Sequence, residues 1–240
     1  MSREQVLRQY IGNDVTCNIC GAHFREFKAF GLKKRKNAQC LSCSSLERHR
    51  LIWNFLKDFT EFFSNRTIRL LHFAPEKFFY ERFSKQRNIE YTPCDLFPEL
   101  FHFKSMPVPV LKVDITNIPF EDSVFDVILC NHVLEHIPDD LNAMAELYRV
   151  LKSGGWGIFQ VPLDNRNNST YEDFSITTPE ARQKAFGQKD HVRIYGKDYP
   201  DRLRKVGFDV KTNDFALKMS AEERFEYGLK KQLIYYCEKN

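Results

Sequence analysis

Four of the seven cysteines form two pairs whose spacing suits metal binding. Cys17 and Cys20 make the first pair, Cys40 and Cys43 make the second, and nineteen residues separate the pairs. Two intervening residues let both thiolates of a pair face one ion, and two such pairs complete a tetrahedral set. Because four thiolates leave no open coordination position, the pattern predicts a structural zinc site rather than a catalytic one.

A second group of residues capable of chemistry follows an apolar run. His132, Glu135 and His136 lie close together in sequence, and His191 occurs further along the chain. Imidazoles titrate near neutral pH, so each histidine is a candidate catalytic base, and each could equally be a hydrogen-bonded structural residue. The same residues could instead hold a divalent metal. The HxxEH string also occurs in metalloproteases, but it follows a strand-like run and Pro138 comes two residues after it, which argues against the helix that such a site needs.

Alternating apolar patterns predict the elements that must position these residues. Strand-like runs are expected at residues 67–73, 89–95, 110–115, 125–131, 156–163, 208–215 and 231–237. Helical patterns between them imply βαβ units and a mostly parallel, seven-stranded sheet of the Rossmann-like α/β class. In such sheets ligands bind beyond the carboxyl ends of the strands. We therefore expect chemistry near residues 72–76, 94–96, 114–115 and 130–136.

Two helix boundaries follow from capping residues. Ser44 is expected to be the N-cap of the first long helix, with Glu47 as its capping-box partner. A later helix should open at Pro138, because acidic residues beside it complement the helix dipole. Gly154–Gly155 should end that helix, since glycine commonly follows a helical C-terminus.

Length and composition predict one main domain with a small appendage. The 240 residues are 42% apolar and 28% charged, which is ordinary for a globular protein. We expect a zinc-binding segment over residues 1–43 and an α/β domain over residues 44–240. Within that domain, a polar insertion at about 164–197 could cover a bound substrate.

Charge and hydropathy argue against other protein classes. The net charge of +4 is mild and does not indicate a nucleic-acid-binding protein. The basic runs Lys33–Lys36 and Arg48–Arg50 are expected to be solvated rather than to bind RNA. No apolar stretch reaches the roughly 18 residues of a transmembrane helix, so no membrane insertion is expected. Paired cysteines without a secretory signal predict a cytoplasmic location, where thiols stay reduced.

The stretch from Val113 to Leu163 closely resembles the class I S-adenosylmethionine-dependent methyltransferases of the methyltransferase type 11-like kind. The cysteine pairs, SSLERHR (44–50) and DHVRIYG (190–196) also resemble a bacterial subgroup with an N-terminal zinc-binding segment. The usual glycine-rich first loop is replaced here by HFAPE (72–76), a form that the subgroup shares. The resemblance implies a seven-stranded, Rossmann-like class I methyltransferase fold with a small zinc ribbon or knuckle before it.

The resemblance also implies which residues contact S-adenosylmethionine. Asp95 would accept hydrogen bonds from the ribose hydroxyls, and Asn131 would lie beside the methionine part. Asp114 would lie near the adenine amine, with Ile115 against the ring. The full implied set is His72, Phe73, Ala74, Pro75, Glu76, Asp95, Leu96, Asp114, Ile115 and Asn131. Either aspartate alone could instead serve a turn at a strand end.

The resemblance is less specific about the methyl acceptor and the residues that bind it. Glu135, Arg193 and Tyr195 are expected substrate contacts, and His132, His136 or His191 would remove the acceptor proton during methyl displacement. The expected acceptor is an oxygen or nitrogen of a small molecule or saccharide, such as a sugar or a cell-surface polysaccharide precursor. An RNA base methyltransferase and a non-catalytic binding module remain alternatives. The sequence does not indicate an oligomeric state.

Overall fold

The structure, a computed structural model, describes residues 8–31, 34–103 and 106–240. The chain divides into two units. The smaller unit joins Met1–Asn65 to Asn213–Ile234, and the larger joins Arg66–Thr212 to Tyr235–Asn240. The predicted boundary after residue 43 follows the cysteine pairs and stays a prediction.

Short strands and helices alternate along the described chain. The strands are β1 Val15–Thr16, β2 His23–Phe24, β3 Lys28–Phe30, β4 Arg35–Gln39, β5 Ile68–Phe73, β6 Ile89–Asp95, β7 Leu111–Lys112, β8 Phe125–Cys130, β9 Leu151–Ile158, β10 Tyr171–Glu172, β11 Arg193–Ile194, β12 Asp209–Asn213 and β13 Ile234–Glu238. The α-helices are α1 Glu47–Asp58, α2 Lys77–Phe83, α3 Asp140–Val150, α4 Pro179–Phe186, α5 Tyr199–Lys205, α6 Phe215–Lys218 and α7 Ala221–Glu226. Among the described residues, no helix is long and apolar enough to cross a membrane.

The larger unit is built on a seven-stranded sheet, as the sequence predicted. The strand order is β12-β13-β9-β8-β5-β6-β7. Strands β5 to β9 pair in parallel, and β13 runs antiparallel to β9. Because β5, β6 and β8 are parallel neighbours, their carboxyl ends meet at one edge of the sheet, where α/β proteins bind ligands.

Strand β9 begins earlier than predicted, and the expected helix end at Gly154–Gly155 is wrong. Helix α3 ends at Val150, and Leu151 already pairs with Phe125 of β8. Trp156 then pairs with Val127, so β9 carries extra residues that bulge out of the ladder. Gly154 has φ +75° within this bulge. The glycines therefore permit an irregular strand rather than a helix C-terminus.

The smaller unit contains two antiparallel hairpins, β1–β2 and β3–β4. The core cluster beside these hairpins consists of Val15, Cys17, Phe27 and Cys40. Hairpins this short are marginal in water, and a core of this size buries little apolar surface. The local fold therefore depends on further interactions around the cysteines and around α1.

The N-cap of helix α1 lies two residues later than predicted, and the helix begins at Glu47. Leu46 is the N-cap, and its backbone N–H donates to His49 Nδ1 at 3.1 Å. Ser44 is not the cap, because it has φ +60° and lies in the turn that follows Cys43. Glu47 instead accepts a hydrogen bond from Arg35 Nε at 2.8 Å.

Candidate cofactor and acceptor site

A cavity of about 430 Å³ opens at the carboxyl ends of β5, β6 and β8. This volume is in the range of small-molecule sites. Eight residues predicted from the sequence line it: Phe73, Ala74, Asp95, Leu96, Asp114, Ile115, His132 and His136. Five further lining residues were not predicted: Phe97, Val113, Val133, Ile137 and Asp190. Phe97 is 53% exposed, and an aromatic residue just past a strand end was the available sequence signal for it.

Two residues at this edge adopt a left-handed backbone conformation without being glycine. Ala74 follows β5 with φ +47°, and His132 follows β8 with φ +58°. Backbone hydrogen bonds fix both, from Ala74 N–H to Cys94 O at 2.9 Å and from His132 N–H to Gln160 O at 2.7 Å. Such conformations are uncommon and concentrate at functional sites. Ala74 thus takes up a conformation that glycine adopts most easily.

The two aspartates predicted to bind cofactor each make a local turn. Asp95 Oδ1 accepts from Phe97 N–H at 2.8 Å. Asp114 Oδ1 accepts from Thr116 N–H at 2.9 Å and from the Thr116 hydroxyl at 2.7 Å. Both carboxylates also line the cavity. Each aspartate therefore does stabilise a turn at its strand end, and this turn orients its carboxylate at the cavity wall.

Three predicted cofactor residues of the first loop are not among those lining the cavity: His72, Pro75 and Glu76. His72 is buried, and its Nδ1 lies 2.9 Å from the Tyr91 hydroxyl. Glu76 is the N-cap residue of α2. Their contacts are those of residues that shape the first loop, and direct contact with cofactor stays a prediction for them.

Asn131, at the end of β8, is buried with an unsatisfied side chain. It is 4% exposed, and neither its Oδ1 nor its Nδ2 has a hydrogen-bond partner within the described chain. Buried amides are almost always hydrogen-bonded, so such a group calls for an explanation. A polar ligand beside it would supply the missing partners.

Arg193 and Tyr195 are buried against the loop that carries the HxxEH residues. The Arg193 guanidinium donates to three backbone carbonyl oxygens of residues 134–138 and to Glu172. The Tyr195 hydroxyl donates to Asp140 Oδ2 at 2.7 Å, and burial raises the pKa of this tyrosine. These contacts hold the loop in place. A direct contact of either residue with substrate stays a prediction.

Glu135, His136 and His191 come together beside the cavity. Their ligand atoms all lie within 4.8 Å of one another, although His191 is distant in sequence. Glu135 and His191 are buried, whereas His136 lines the cavity. Burial lowers the pKa of His191, which favours the neutral imidazole. Glu135 Oε1 lies 3.4 Å from Nδ1 of His132, the other histidine of the cavity wall.

The four predicted metal-binding cysteines of the smaller unit are also clustered. Cys17 Sγ lies 3.7 Å from Cys43 Sγ, and Cys20 Sγ lies 3.7 Å from Cys40 Sγ. A tetrahedral zinc ion with bonds of about 2.3 Å needs sulfurs about 3.8 Å apart. Hydrogen bonding with Cys40, and then with Cys43, holds the pKa of the Cys17 thiol well below its usual value. The cluster fits a zinc ion.

The two cysteine pairs lie in matching turns. Cys17 O accepts from Gly21 N–H at 2.8 Å, and Cys40 O accepts from Ser44 N–H at 2.9 Å. Gly21 and Ser44 occupy the same position in their turns and both have positive φ, at +69° and +60°. Closing this turn explains why Ser44 is not available as a helix cap.

A protein family described as a methyltransferase domain matches residues 77–159. This segment is similar to that family. The matched residues run from α2 to the end of β9 and include the carboxyl ends of β6 and β8, beside the cavity. The predicted resemblance to class I methyltransferases is confirmed, and so is the predicted fold.

Individual relatives match only part of their own length. The demethylmenaquinone methyltransferase of Streptomyces avermitilis is 36% identical over 132 residues, which cover 48% of this chain and 57% of that enzyme. The sterol 24-C-methyltransferase of Schizosaccharomyces pombe is 27% identical over 109 residues, which cover 43% of this chain and 27% of that enzyme. The solved structure of a SAM-dependent methyltransferase from Archaeoglobus fulgidus shares the fold. It is 16% identical in sequence, the TM-score is 0.53, and the match covers 79% of this chain and 93% of that chain.

Proposed function

We propose that the protein is an S-adenosylmethionine-dependent methyltransferase that methylates an oxygen or nitrogen of a small molecule. The observation that carries the proposal is the cavity at the carboxyl ends of β5, β6 and β8, inside a methyltransferase domain. When bound, S-adenosylmethionine supplies an electrophilic methyl group on a sulfonium. The chain's own residues would bind this cofactor, orient the acceptor and remove its proton.

The residues of the cavity fit this cofactor. Asp95 and Asp114 present carboxylates that would accept from ribose hydroxyls and from the adenine amine, and Ile115 offers an apolar surface to the ring. Asn131, which is buried and not among the residues that line the cavity, would use its unpaired amide to hold polar atoms of the methionine part. Ala74, in its left-handed conformation, would let the first loop pass close to the cofactor.

His132 is the candidate base that we favour for removing the acceptor proton. It lines the cavity, and its Nδ1 lies 3.4 Å from the buried Glu135 carboxylate, which would orient the imidazole. His136 also lines the cavity, whereas His191 is buried behind it. His132 would therefore accept the proton while the surrounding loop orients the acceptor.

The finer proposal is a hydroxyl-rich acceptor such as a sugar or a polysaccharide precursor. The resemblance to the zinc-bearing subgroup suggests it, and the polar atoms of His132, His136 and Asp190 in the cavity wall suit several hydroxyl groups. An RNA acceptor has less support, because Arg50 is buried and Arg35 pairs with Glu47. Lys33 of the basic run lies outside the described residues.

We also propose a structural zinc ion on the four clustered cysteines and a cytoplasmic location. The distances between the cysteine sulfurs support the zinc ion. The cytoplasmic location is supported by the need of these thiols to stay reduced in order to bind metal.

Calorimetric titration with S-adenosylmethionine and S-adenosylhomocysteine tests the cofactor. We expect micromolar binding, about −8 kcal/mol. Asp95→Ala should weaken it by about 10- to 100-fold, because hydrogen bonds to a charged group contribute about 1.5–3 kcal/mol. Asp164→Ala is the matched control, since Asp164 Oδ1 accepts from Arg166 N–H in the same kind of turn, away from the cavity.

Equal loss of affinity in Asp95→Ala and Asp164→Ala would mean that the aspartate acts only through its turn. No binding of either ligand by the unaltered protein would favour the non-catalytic binding module. Salt-sensitive RNA binding that disappears when the basic run Lys33–Lys36 is neutralised would favour the RNA alternative.

A further inference from the structure

Two buried polar atoms beside the cavity have no hydrogen-bond partner within the described residues. They are Glu135 Oε2 and His191 Nε2. The two residues are 1% and 3% exposed, so solvent does not provide a partner at the surface. Leaving such groups unsatisfied costs free energy, and a carboxylate is the more costly of the two. The pair therefore points to a bound species that both atoms contact.

The hydrogen bonds of the two neighbouring imidazoles fix which nitrogen is available. His136 Nδ1 lies 3.2 Å from the carbonyl oxygen of Asp190. His191 makes a backbone hydrogen bond with Phe186, and since its Nε2 has no partner, this bond uses Nδ1. A carbonyl oxygen only accepts, so each Nδ1 carries the hydrogen and each Nε2 presents a lone pair. Metal-binding histidines characteristically donate their second ring N–H to a carbonyl or carboxylate.

The three side chains converge on one point. The ligand atoms of Glu135, His136 and His191 lie within 4.8 Å of one another, and the two imidazole rings stand at 87° with centroids 4.7 Å apart. A metal with bonds of about 2.0–2.2 Å brings such atoms to roughly 3–3.5 Å. Side-chain rotations that move each ligand atom by about 1 Å would close that difference, and movements of this size are small for these side chains.

The surrounding contacts hold the backbone of this cluster. Val192 N–H donates to Glu135 O at 3.0 Å, which ties the two segments together. Arg193 holds the carbonyls of residues 134–138, as described above. The ligand side chains are thus presented on a positioned frame rather than on an unsupported loop.

We propose that Glu135, His136 and His191 bind a divalent transition-metal ion in the wall of the cavity. Two imidazoles and one carboxylate suit zinc, cobalt, iron or manganese, whereas calcium and magnesium favour sites made of oxygen ligands alone. Three protein ligands leave coordination positions open. Since His136 lines the cavity, an ion held there lies where an acceptor would bind.

Such an ion would have a direct use in methyl transfer. An acceptor hydroxyl coordinated at an open position would lose its proton more readily, because the metal lowers its pKa. This use rests on the proposed function. The binding of the ion itself does not, because it depends only on the three side chains.

The test is a metal titration of the full-length protein with the four-cysteine site already loaded with zinc. We expect cobalt(II) to bind at one further equivalent per chain, with an absorption spectrum that lacks thiolate charge-transfer bands. Glu135→Gln and His191→Asn should weaken cobalt binding by at least about 100-fold, since each removes a direct ligand. Elemental analysis should show zinc retained in both variants.

His102→Asn is the matched control, because His102 is exposed and lies outside both the three-residue set and the cavity wall. Cobalt affinity should stay within about threefold, because this substitution removes no metal ligand. His136→Asn provides a second ligand variant at a partly exposed position, in case the buried substitutions prevent folding. Urea unfolding curves report whether each variant is folded.

Absence of any cobalt beyond the cysteine site would overturn the metal proposal, and so would unchanged affinity in folded Glu135→Gln and His136→Asn. The methyltransferase proposal would stand in that case if S-adenosylmethionine still bound. Conversely, cobalt binding without cofactor binding would support the metal site and contradict the proposed function.

Discussion

At the scale of single residues, two non-glycine residues at the edge of the cavity have backbone conformations that such residues rarely adopt. Ala74 and His132 take positive φ at the ends of neighbouring strands. An L-residue in this region loses about 1–2 kcal/mol relative to right-handed backbone. Surrounding hydrogen bonds keep both residues there. The first loop therefore reaches the shape of a glycine turn without glycine.

Substitution of Ala74 tests this interpretation. Ala74→Gly should leave S-adenosylmethionine affinity unchanged within about threefold and shift stability by less than about 1 kcal/mol, because relief of strain opposes the added freedom of the unfolded chain. Ala74→Val should weaken binding at least about tenfold, because a β-branched residue is strongly disfavoured at positive φ. Calorimetry on both variants provides the measurement, and equal affinities in the two would contradict the assignment.

At the scale of elements, the loop between β8 and α3 is held by a buried arginine from β11. Arg193 is 1% exposed and donates to several carbonyl oxygens of that loop. The Leu134 carbonyl also accepts from Ile137 N–H and from the Tyr195 hydroxyl. Ile137 and Pro138 lie outside the helices and strands, so their carbonyls rely on the guanidinium for a hydrogen bond. The arginine therefore sets the position of Glu135 and His136.

Arg193→Lys should destabilise the protein by about 2–4 kcal/mol, because an ammonium cannot span the same carbonyls in a planar fork. Arg166→Lys is the control, since Arg166 makes an exposed pair with Asp164 and should change stability by less than about 0.5 kcal/mol. Urea unfolding curves measure both. A small effect of Arg193→Lys would mean that the loop is held by other contacts.

At the scale of the whole molecule, the two units obtain their stability differently. The larger unit has an extended sheet with a buried apolar core. The smaller has short hairpins, a small core cluster and the four cysteines. Small units of this kind usually need a metal or crosslinks in order to fold.

Loss of zinc should therefore affect the smaller unit selectively. Cys40→Ser should lower the zinc content by about one ion per chain, and it should speed proteolytic cleavage within the described part of residues 8–65. Affinity for S-adenosylmethionine should stay within about threefold, because the cavity lies in the larger unit. Cys237→Ala, a buried cysteine outside the cluster, should keep its zinc. Full zinc in Cys40→Ser would contradict the four-cysteine site.

Much of the site was predictable because short-range patterns determine it. Residue type and period locate the strands, and parallel pairing then brings their carboxyl ends together. That is why Asp95, Asp114, Ile115 and His132 could be expected at one edge before the structure was known. The cysteine spacing was equally informative, since a two-residue gap limits how the thiolates can point.

Boundaries that depend on backbone conformation were predicted less well. Ser44 looks like a helix cap in sequence, but the turn after Cys43 requires it at positive φ. Gly154 looks like a helix end, but pairing of Leu151 with Phe125 already starts the strand. In both cases a tertiary contact overrides a local preference that is weak by itself.

The amino-acid sequence by itself determined the fold class, the two cysteine pairs and the strand ends that form the cavity, because these follow from periodicity and spacing along the chain. Only the tertiary structure decided that His191 meets Glu135 and His136, and that Asn131 is buried without a partner. Those relations depend on side-chain directions and on burial between segments far apart in the chain. No local pattern encodes them, since each arises only when the packed elements exclude water.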